Sequence, residues 1–261
     1  MYIIEHCPAC NSLDIRKESA KLAQFVIWKA TDEFAYSHKD NNAIICNQCS
    51  FLGSQIRLTD EEETRLYKDY RGEEYNNKRL FCEPWYANYI NMFDQEKYVN
   101  DRKVGINRLI DTHVDIMTIN KVLDYGGDTG SHIPDKFIKA KWYVSDISGV
   151  PPMPGVLPFD TMTQKMTVDF LMCCHVLEHK SDPDVLIKDI KRFVNSNSWI
   201  YIEVPHFDAP QLPGGIFHEH LNAWNMQSMK ALLEKHQIDV VDSTLSEIMD
   251  GHSLCILARL K

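Results

Sequence analysis

The stretch Val122-Leu-Asp-Tyr-Gly-Gly-Asp-Thr-Gly130 decides the fold class of this 261-residue chain. Apolar residues followed by glycines predict a strand that runs into a tight turn, because glycine tolerates positive φ and allows close backbone approach. The segment Trp142-Tyr-Val-Ser-Asp146 then predicts a second strand, which ends in an acid twenty residues after Gly126. In α/β folds an acid at this distance binds a ribose diol. Together the two segments predict a nucleotide-cofactor site.

The residues of this turn indicate the kind of cofactor. The glycine spacing is not Gly-x-Gly-x-x-Gly, and carboxylates at 124 and 128 suit a cationic, amino-acid-bearing cofactor better than a pyrophosphate. A chain reversal that needs glycine for steric reasons alone, and a helix-capping role for the acid at 146, are the alternatives. The predicted cofactor residues are Asp124, Gly126, Gly127, Asp128, Gly130, Asp146 and, after a short third strand, Asp160.

The chain alternates strand and helix from residue 121 to its end. This alternation predicts an α/β fold with a mostly parallel sheet. Only Met249-Asp-Gly-His separates the last two strands, so these two strands should form an antiparallel pair at the sheet edge. Strands are predicted near 121–126, 141–146, 156–160, 168–174, 198–204, 238–246 and 253–260, and helices near 131–139, 183–194 and 225–236.

Two Cys-x-x-Cys pairs mark residues 1–58 as a separate N-terminal domain. Cys7 and Cys10 form one pair and Cys46 and Cys49 the other, with strand-like pieces predicted near 25–28 and 43–45. Two such knuckles can complete a tetrahedral four-sulfur site with no open position. The pattern therefore predicts a zinc ribbon with a structural zinc ion, and reduced thiols without a metal are the alternative.

Residues 59–120 are predicted to form a helical linker or cap. Thr59 or Asp60 can cap a helix through 61–63, and a second helix is expected after Pro84 through Val104 and the apolar residues at 106, 109 and 110. The segment 67–75 is rich in tyrosine, which amphipathic packing explains without a catalytic role.

Composition and charge narrow the class of partner. The formal net charge of −9 argues against binding to nucleic acid, and no run of eighteen apolar residues predicts a membrane span. The N-terminus lacks the features of a signal peptide, so we expect a soluble, cytoplasmic protein. A small-molecule substrate fits these observations best.

A histidine-containing segment follows the predicted strand 168–174. His175 should lie at the mouth of the cofactor cleft, where a neutral imidazole can accept a substrate proton. Asp182 should cap a helix that begins at Pro183. Read literally, His175-Val-Leu-Glu178-His179 also matches the inverted zinc-peptidase motif, but that motif must lie within a helix. A strand before it and a capping Asp-Pro after it make a zinc hydrolase the weaker alternative.

A second polar cluster, His218-Glu219-His220, follows the glycine pair 214–215. Two histidines that flank a carboxylate can provide a base whose tautomer the carboxylate fixes. A solvated loop, or a network that ties the loop to the sheet, is the alternative. The predicted catalytic residues are His220, His175, Glu219 and His218.

These motifs together resemble class I S-adenosylmethionine-dependent methyltransferases with an N-terminal four-cysteine zinc domain, a helical middle and a C-terminal Rossmann-like domain. Similar members include sugar C-methyltransferases acting on nucleotide-linked deoxysugars and enzymes of bacterial surface-polysaccharide pathways. The resemblance rests on the four cysteines, the glycine turn, Asp146, His175-x-x-Glu-His179 and Glu219-His220. It implies residues 121–261 as the cofactor-binding domain, S-adenosylmethionine as cofactor, and a sugar or nucleotide sugar as acceptor.

One departure from this family bears on the reaction. The sugar C-methyltransferases carry a tyrosine two residues before the glutamate of the last motif, where this chain has Phe217. Loss of that phenol favours O-methylation over C-methylation. A non-catalytic binding module that keeps the fold is the alternative from another class, and a nicotinamide oxidoreductase would need the dinucleotide glycine spacing. We expect a monomer or a homodimer.

Overall fold

The computed structural model describes residues 1–90, 96–208, 212–248 and 251–261. The strands are β1 (Tyr2–Ile3), β2 (Ile15–Leu22), β3 (Lys39–Cys46), β4 (Leu52–Ser54), β5 (Ile56–Arg57), β6 (Lys121–Tyr125), β7 (Lys141–Ser145), β8 (Val156–Pro158), β9 (Phe170–Cys174), β10 (Trp199–Pro205), β11 (Ile216–Phe217), β12 (Asn222–Ala223), β13 (Ile238–Ile248) and β14 (Gly251–Leu260). The α-helices are α1 (Gln24–Thr31), α2 (Asp60–Tyr67), α3 (Glu73–Cys82), α4 (Glu96–His113), α5 (Pro183–Lys191) and α6 (Met226–Lys235). Short 3-10 helices span Pro84–Asn88, Ile116–Thr118, Asp135–Phe137 and Pro213–Gly215.

The chain divides into two units, each assembled from three segments. Unit 1 comprises Met1–Met92, Glu178–Asp184 and Phe207–Leu232. Unit 2 comprises Phe93–Leu177, Val185–His206 and Leu233–Lys261. The segments 1–58, 59–120 and 121–261 that the sequence suggests as domains stay a prediction.

Unit 1 is built on a five-stranded sheet in the order β11-β2-β3-β4-β12, and β1 pairs with β5 separately. Its core contains buried side chains from the sheet and from all three of its N-terminal helices, including Leu22, Phe25, Leu66, Tyr75 and Phe217. The segment 216–223 returns to this sheet late in the chain, because β11 pairs with β2 and β12 with β4. The fold thus places the loop 218–220 in unit 1.

The helical elements of unit 1 test two of the local predictions. Thr59 caps α2 with a full capping box, because its side chain accepts from the Glu62 amide while the Glu62 carboxylate accepts from the Thr59 amide. The cap predicted at Thr59 is therefore confirmed. The strand predicted near 25–28 is wrong, since these residues lie in α1 and bury Phe25 and Val26 in the core. A short apolar run fits a buried helix as well as a strand.

Unit 2 is built on a seven-stranded sheet in the order β13-β14-β10-β9-β6-β7-β8. The five neighbouring strands β10, β9, β6, β7 and β8 pair in parallel. By contrast, β14 lies between β10 and β13 and runs antiparallel to both. The prediction of a mostly parallel sheet with an antiparallel last strand is confirmed. Met249 and Asp250, part of the connection predicted between the last two strands, lie outside the described residues.

The helices of unit 2 agree with the sequence in part. Ile106, Leu109 and Ile110 share one face of α4 and are buried with the core of the sheet, as their spacing predicts. The helix predicted near 131–139 is wrong, because only Asp135–Phe137 forms a 3-10 turn there. Pro134 explains the difference, since the residue before a proline is disfavoured in helical conformation.

The strand order places a topological switch point in unit 2. From β6 the chain moves outward to β7 and β8, then returns to form β9 on the other side of β6. Ligands of open α/β sheets bind outside the carboxyl ends of the strands at such a point. The glycine turn after β6 and His175 after β9 follow these two neighbouring strands.

Within the described ranges, no helix combines the length and the apolar character needed to cross a bilayer. The cytoplasmic location expected from the sequence stays a prediction.

Candidate active site

The glycine turn after β6 is shaped by close contacts within unit 2. A Cβ atom at Gly126 would lie 2.4 Å from the Val176 side chain, and one at Gly127 would lie 2.1 Å from the carboxyl carbon of Asp124. Gly126 and Gly130 also have positive φ angles, of 74° and 80°. Chain packing therefore explains these glycines without a ligand. Only the acids around the turn therefore point to a cofactor.

Asp124 is the strongest indication of a ligand in unit 2. Its side chain is 1% exposed, and its Oδ2 accepts no hydrogen bond from the described part of the chain. Burial raises its pKa to about 7, and the charge of Asp146 adds to the rise while Arg102 opposes it. A buried carboxylate without a donor is costly. A cationic or hydrogen-bond-donating ligand beside it would remove that cost.

Asp146 and Asp128 connect the ends of β6 and β7. Asp146 Oδ2 accepts from the Asp128 amide at 2.8 Å, and its Oδ1 accepts from the Ser148 amide at 2.7 Å. Asp128 itself has a φ of 53°, a left-handed conformation. Asp146 therefore closes the turn after β7, but no helix follows in the described segment between β7 and β8, so the alternative of a helix cap is wrong. A carboxylate has about four acceptor positions, so both oxygens of Asp146 can also accept from ribose hydroxyls.

Asp160 is less closely tied to this group. It is exposed two residues after β8, where it accepts from the Met162 amide at 2.9 Å and from the Thr163 hydroxyl at 2.6 Å. The Thr163 hydrogen bond is the main reason that the pKa of Asp160 is lowered. These hydrogen bonds stabilise a local turn. The contact predicted between Asp160 and the adenine of the cofactor stays a prediction.

His175 lies at the end of β9 in a left-handed conformation with a φ of 56°. Its Nε2 is 3.0 Å from Glu203 Oε1 and 3.2 Å from the Ser253 hydroxyl. Burial alone would raise the pKa of Glu203, but the charge of Arg102 and the hydrogen bonds from His175 and Tyr201 hold it well below its ordinary value. The ionised Glu203 requires a proton on Nε2. In the neutral ring of His175 the lone pair therefore lies on Nδ1.

The residues after His175 do not form the helix that the inverted zinc-peptidase motif requires. Residues 177–179 form a turn, and α5 begins only at Pro183, where the Asp182 side chain accepts from the Asp184 amide at 2.9 Å. The predicted Asp182 cap is confirmed. The structure thus gives no support to a zinc hydrolase built on His175, Glu178 and His179.

Glu219 is the centre of a buried ionic network in unit 1. The Tyr75 hydroxyl donates to its Oε2, and Arg79 donates to its Oε1 at 2.6 Å. Although burial acts to raise the pKa of Glu219, the positive charge of Arg79 outweighs it and the pKa is lowered. The carboxylate is therefore ionised and fixed in position.

His218 belongs to the same network through a second carboxylate. Its Nδ1 lies 2.5 Å from Glu83 Oε1, and Arg79 Nε donates to Glu83 Oε2 at 3.1 Å. The Trp85 ring packs edge-on against the imidazole, with ring centroids 5.3 Å apart. With the proton on Nδ1, a neutral His218 carries its lone pair on Nε2.

His220 is exposed and packs against a second histidine. Its ring centroid lies 4.6 Å from that of His179, with the ring planes at 82°. His179 Nδ1 is 3.3 Å from the backbone oxygen of Glu219, and its Nε2 is 3.9 Å from Glu178 Oε1. Unit 1 therefore brings His220 together with His179 and Glu178, which the sequence assigned to a separate motif.

Tyr67 adds an unsatisfied polar group to this region. Its ring packs edge-on against His179, with centroids 5.6 Å apart. Its hydroxyl is buried and has no hydrogen-bond partner in the described ranges. Burial, with the charge of Glu219, raises its pKa well above the ordinary value, so the phenol stays protonated. A buried donor without a partner is costly, so an acceptor atom of a ligand beside Tyr67 would be stabilising.

The four cysteines predicted to bind zinc come together in unit 1. The Sγ atoms of Cys7 and Cys49 are 3.5 Å apart, as are those of Cys10 and Cys46, and all four lie within 4.8 Å of one another. In a tetrahedral zinc site with Zn–S bonds of about 2.3 Å, the sulfur atoms are roughly 3.8 Å apart. The donor set and its spacing fit a zinc ion.

The residues that hold Glu219 and His218 were not predicted from the sequence. Tyr75, Arg79 and Glu83 lie four residues apart, and Tyr75 and Arg79 share one face of α3. The i, i+4 spacing of a tyrosine, an arginine and a glutamate was a signal for a polar helix face. Their partners are more than 130 residues away in the chain, so pairing could not be inferred.

Comparison with known proteins assigns the family. The model of the methyltransferase domain family matches residues 91–243, more than half of the chain, so the chain belongs to this family. This chain is therefore a methyltransferase. The match favours an enzyme over the non-catalytic binding module considered as the alternative. None of the curated proteins compared with the chain matches it.

Solved methyltransferase structures are similar to this chain in fold. The 1,6-didemethyltoxoflavin-N1-methyltransferase of Burkholderia thailandensis is 14% identical with a TM-score of 0.55, and the match covers 83% of this chain and 97% of that one. The magnesium protoporphyrin IX methyltransferase ChlM of Synechocystis PCC 6803 is 13% identical with a TM-score of 0.47, over 72% of this chain and 100% of that one. The mitomycin 7-O-methyltransferase MmcR is 14% identical with a TM-score of 0.49, over 70% of this chain and 60% of that one.

Proposed function

We propose that the chain transfers a methyl group from S-adenosylmethionine to a hydroxyl of a sugar or a nucleotide-linked sugar, in a surface-polysaccharide pathway. The observation that carries the cofactor assignment is the buried carboxylate of Asp124, which has an oxygen without a hydrogen-bond donor, at the switch point of a methyltransferase-family sheet. When bound, S-adenosylmethionine would supply the methyl group from its sulfonium sulfur, which would leave as the neutral thioether of S-adenosylhomocysteine.

The acids of unit 2 divide between the two polar ends of this cofactor. Asp124 and the 126–130 turn hold the cationic amino-acid part, because a carboxylate in a low-dielectric setting attracts a cation strongly. Asp146 accepts from the ribose hydroxyls with its remaining acceptor positions. Asp128 positions Asp146 through its amide, and Asp160 is assigned to the adenine end.

Acceptor activation is assigned to the histidines. His220 is exposed and therefore open to an acceptor, and its neutral imidazole activates the acceptor hydroxyl. Glu219 and His218 keep the loop in place through Arg79 and Glu83. His175, whose Nδ1 carries the lone pair, is the second candidate base. The protonated Tyr67 hydroxyl can donate to an acceptor oxygen.

Position 217 supports O-methylation over C-methylation. Phe217 is 1% exposed and packs in the unit 1 core, so it offers no hydroxyl for removal of a carbon-bound proton. A hydroxyl acceptor needs alignment with the methyl group more than it needs a strong base. The acceptor class itself rests on the resemblance of the motifs to sugar methyltransferases.

The cysteine cluster is proposed to hold a structural zinc ion. Four sulfur ligands leave no position for a substrate, so the ion contributes folding energy and no chemistry. We keep a monomer or a homodimer as the proposed assembly.

Transfer of a ¹³C-labelled methyl group from S-adenosylmethionine to a panel of nucleotide-linked sugars tests this function. The carbon chemical shift of the product distinguishes an O-methyl from a C-methyl group. We expect an O-methyl product, and we expect His220→Ala to lower kcat by about 10²–10⁴-fold with unchanged binding of S-adenosylhomocysteine. A C-methyl product would overturn the O-methyl assignment, and an unchanged kcat would remove His220 from the mechanism.

A further inference from the structure

Three side chains of unit 1 form a group that the methyl-transfer proposal does not use together. Glu178, His179 and His220 can each place one ligand atom so that all three atoms lie within 4.8 Å of one another. Two imidazoles and a carboxylate are a ligand set for divalent transition metals. We propose that these three residues bind a divalent transition-metal ion, separate from the ion proposed for the four cysteines.

The orientation of His179 supports a ligand role. Its Nδ1 lies 3.3 Å from the backbone oxygen of Glu219, and a carbonyl oxygen can only accept. Nδ1 therefore carries the proton, and a neutral ring presents the lone pair of Nε2 on its other side. Histidines that bind metals are held in this way, with the second ring nitrogen donating to a carbonyl or carboxylate.

The distance between two of the ligand atoms also fits an ion. His179 Nε2 and Glu178 Oε1 are 3.9 Å apart, which is beyond hydrogen-bond range. Around one tetrahedral ion, with bonds of about 2.1 Å, two ligand atoms are roughly 3.4 Å apart. A shift of about half an ångström would bring both atoms into the first coordination sphere.

The exposure of the group leaves a coordination position open. Glu178 is 1% exposed and the His179 side chain 12%, whereas His220 is exposed. Three protein ligands with a water or substrate in the fourth position characterise catalytic sites, in contrast to closed structural ones. The Tyr67 hydroxyl, buried and without a hydrogen-bond partner in the described ranges, supplies a donor beside His179 for a metal-bound oxygen.

The fold therefore makes a metal-binding set different from the one that the sequence motif suggests. The motif His175-x-x-Glu-His179 would use His175, but that residue belongs to unit 2 and bonds to Glu203 and Ser253. Unit 1 instead supplies His220 from a loop about forty residues further along the chain. Because the three proposed ligands lie on two segments far apart in the sequence, the residue spacing within one motif does not predict this metal site.

An ion at this position would refine how His220 acts. A bound divalent ion lowers the pKa of a coordinated hydroxyl, so His220 would act as a metal ligand and the acceptor proton would pass to solvent water at this exposed residue. Both roles require the neutral imidazole. Binding of the ion itself does not depend on the proposed acceptor or on methyl transfer, so the test measures metal binding alone.

Titration with Co²⁺ of the full chain loaded with one equivalent of zinc, which fills the four-cysteine site, tests the inference by absorption spectroscopy. Cobalt bound to nitrogen and oxygen gives d–d bands without the intense thiolate-to-cobalt charge-transfer band that a cysteine site produces. We expect one further Co²⁺ per chain, with d–d bands only. We expect Glu178→Gln and His220→Ala to weaken this binding by more than about 100-fold, since loss of a ligand should exceed the 10–100-fold effect of an outer-shell partner.

His113→Ala is the matched control, because it removes a histidine of unit 2 that bonds to Asp242 and is no proposed ligand. It should bind the second Co²⁺ like the unaltered protein. Full cobalt substitution of each variant should restore the thiolate band, which shows that the cysteine site and unit 1 remain folded. The inference is overturned if the unaltered protein, with zinc at its four cysteines, binds no further Co²⁺ with d–d bands, or if Glu178→Gln and His220→Ala both retain the second ion.

Discussion

Replacement of Asp124 by asparagine should stabilise the protein at pH 8 and leave its stability nearly unchanged at pH 4. Burial raises the pKa of Asp124 to about 7 from an ordinary value of 3.8. The folded state therefore retains a proton that the unfolded state loses between these pH values. Stability contributed by the protonated form is fully present below about pH 4 and is lost as the pH rises through about 7.

The size of this effect follows from the shift in pKa. Each unit corresponds to 1.36 kcal/mol, so a shift of about three units sets an upper limit of about 4 kcal/mol on the cost of the ionised carboxylate. Asparagine has no charge to bury and a similar shape. The gain in free energy of unfolding caused by Asp124→Asn should grow from near zero at pH 4 to as much as about 4 kcal/mol at pH 8.

Urea denaturation of both proteins at the two pH values measures this difference, provided that the slope of free energy against urea is unchanged. Asp160→Asn is the matched control, because hydrogen bonds lower the pKa of Asp160 and the sign of its effect is opposite. It should destabilise at neutral pH, and its effect should fade in acid. An equal effect of Asp124→Asn at pH 4 and pH 8 would refute the reasoning.

Three further changes should have defined effects. Arg79→Met removes the cation shared by two buried carboxylates, Glu219 and Glu83, and should lower the free energy of unfolding by about 3–5 kcal/mol in urea denaturation; a loss below about 1 kcal/mol would show that the network is not held by charge. Thr59→Ala removes one bond of the α2 capping box and should cost about 1 kcal/mol in the same assay, whereas no loss would mean that the box does not stabilise the helix. Removal of metal by a chelator should lower the thermal midpoint and added zinc should restore it, and Cys10→Ser should lose most of this response; a midpoint that does not change with the chelator would contradict a structural zinc ion.

Patterns local in sequence predicted much of the unit 2 fold. The strands from β6 to β10, and the antiparallel pairing of the last strand, follow from apolar runs, glycine turns and a short final connection. Local sequence patterns gave a wrong secondary-structure element where two patterns favoured different structures. Pro134 interrupts a segment that otherwise suggests a helix, and the apolar run 25–28 is short enough for either structure.

The candidate sites show the limit of local reasoning more clearly. The sequence identified His175, Glu219 and His220 as reactive groups, but not the partners that fix their protonation. Glu203 and Ser253 reach His175 across 28 and 78 residues, and Arg79 reaches Glu219 across 140. Only the pairing of strands and helices brings such residues together, and one chain without its fold does not show which pairs form.

The sequence also divided residues that the fold assembles. His179 and His220 were assigned to different motifs, yet their rings are in contact in unit 1. The reason is that the segment 178–184 belongs to unit 1 although strands of unit 2 lie on either side of it in the sequence. A prediction from motif spacing treats residues close in sequence as parts of one site. Here His175 and His179 are close in sequence but belong to different units.

Isothermal titration with S-adenosylhomocysteine tests the proposed cofactor site most directly. We expect one binding site per chain with micromolar affinity or better. Asp146→Ala should weaken this binding by about 10-fold or more, because hydrogen bonds to a charged group contribute about 1.5–3 kcal/mol. Absence of binding in the unaltered protein, or equal affinity in Asp146→Ala, would contradict the placement of S-adenosylmethionine at the ends of β6 and β7.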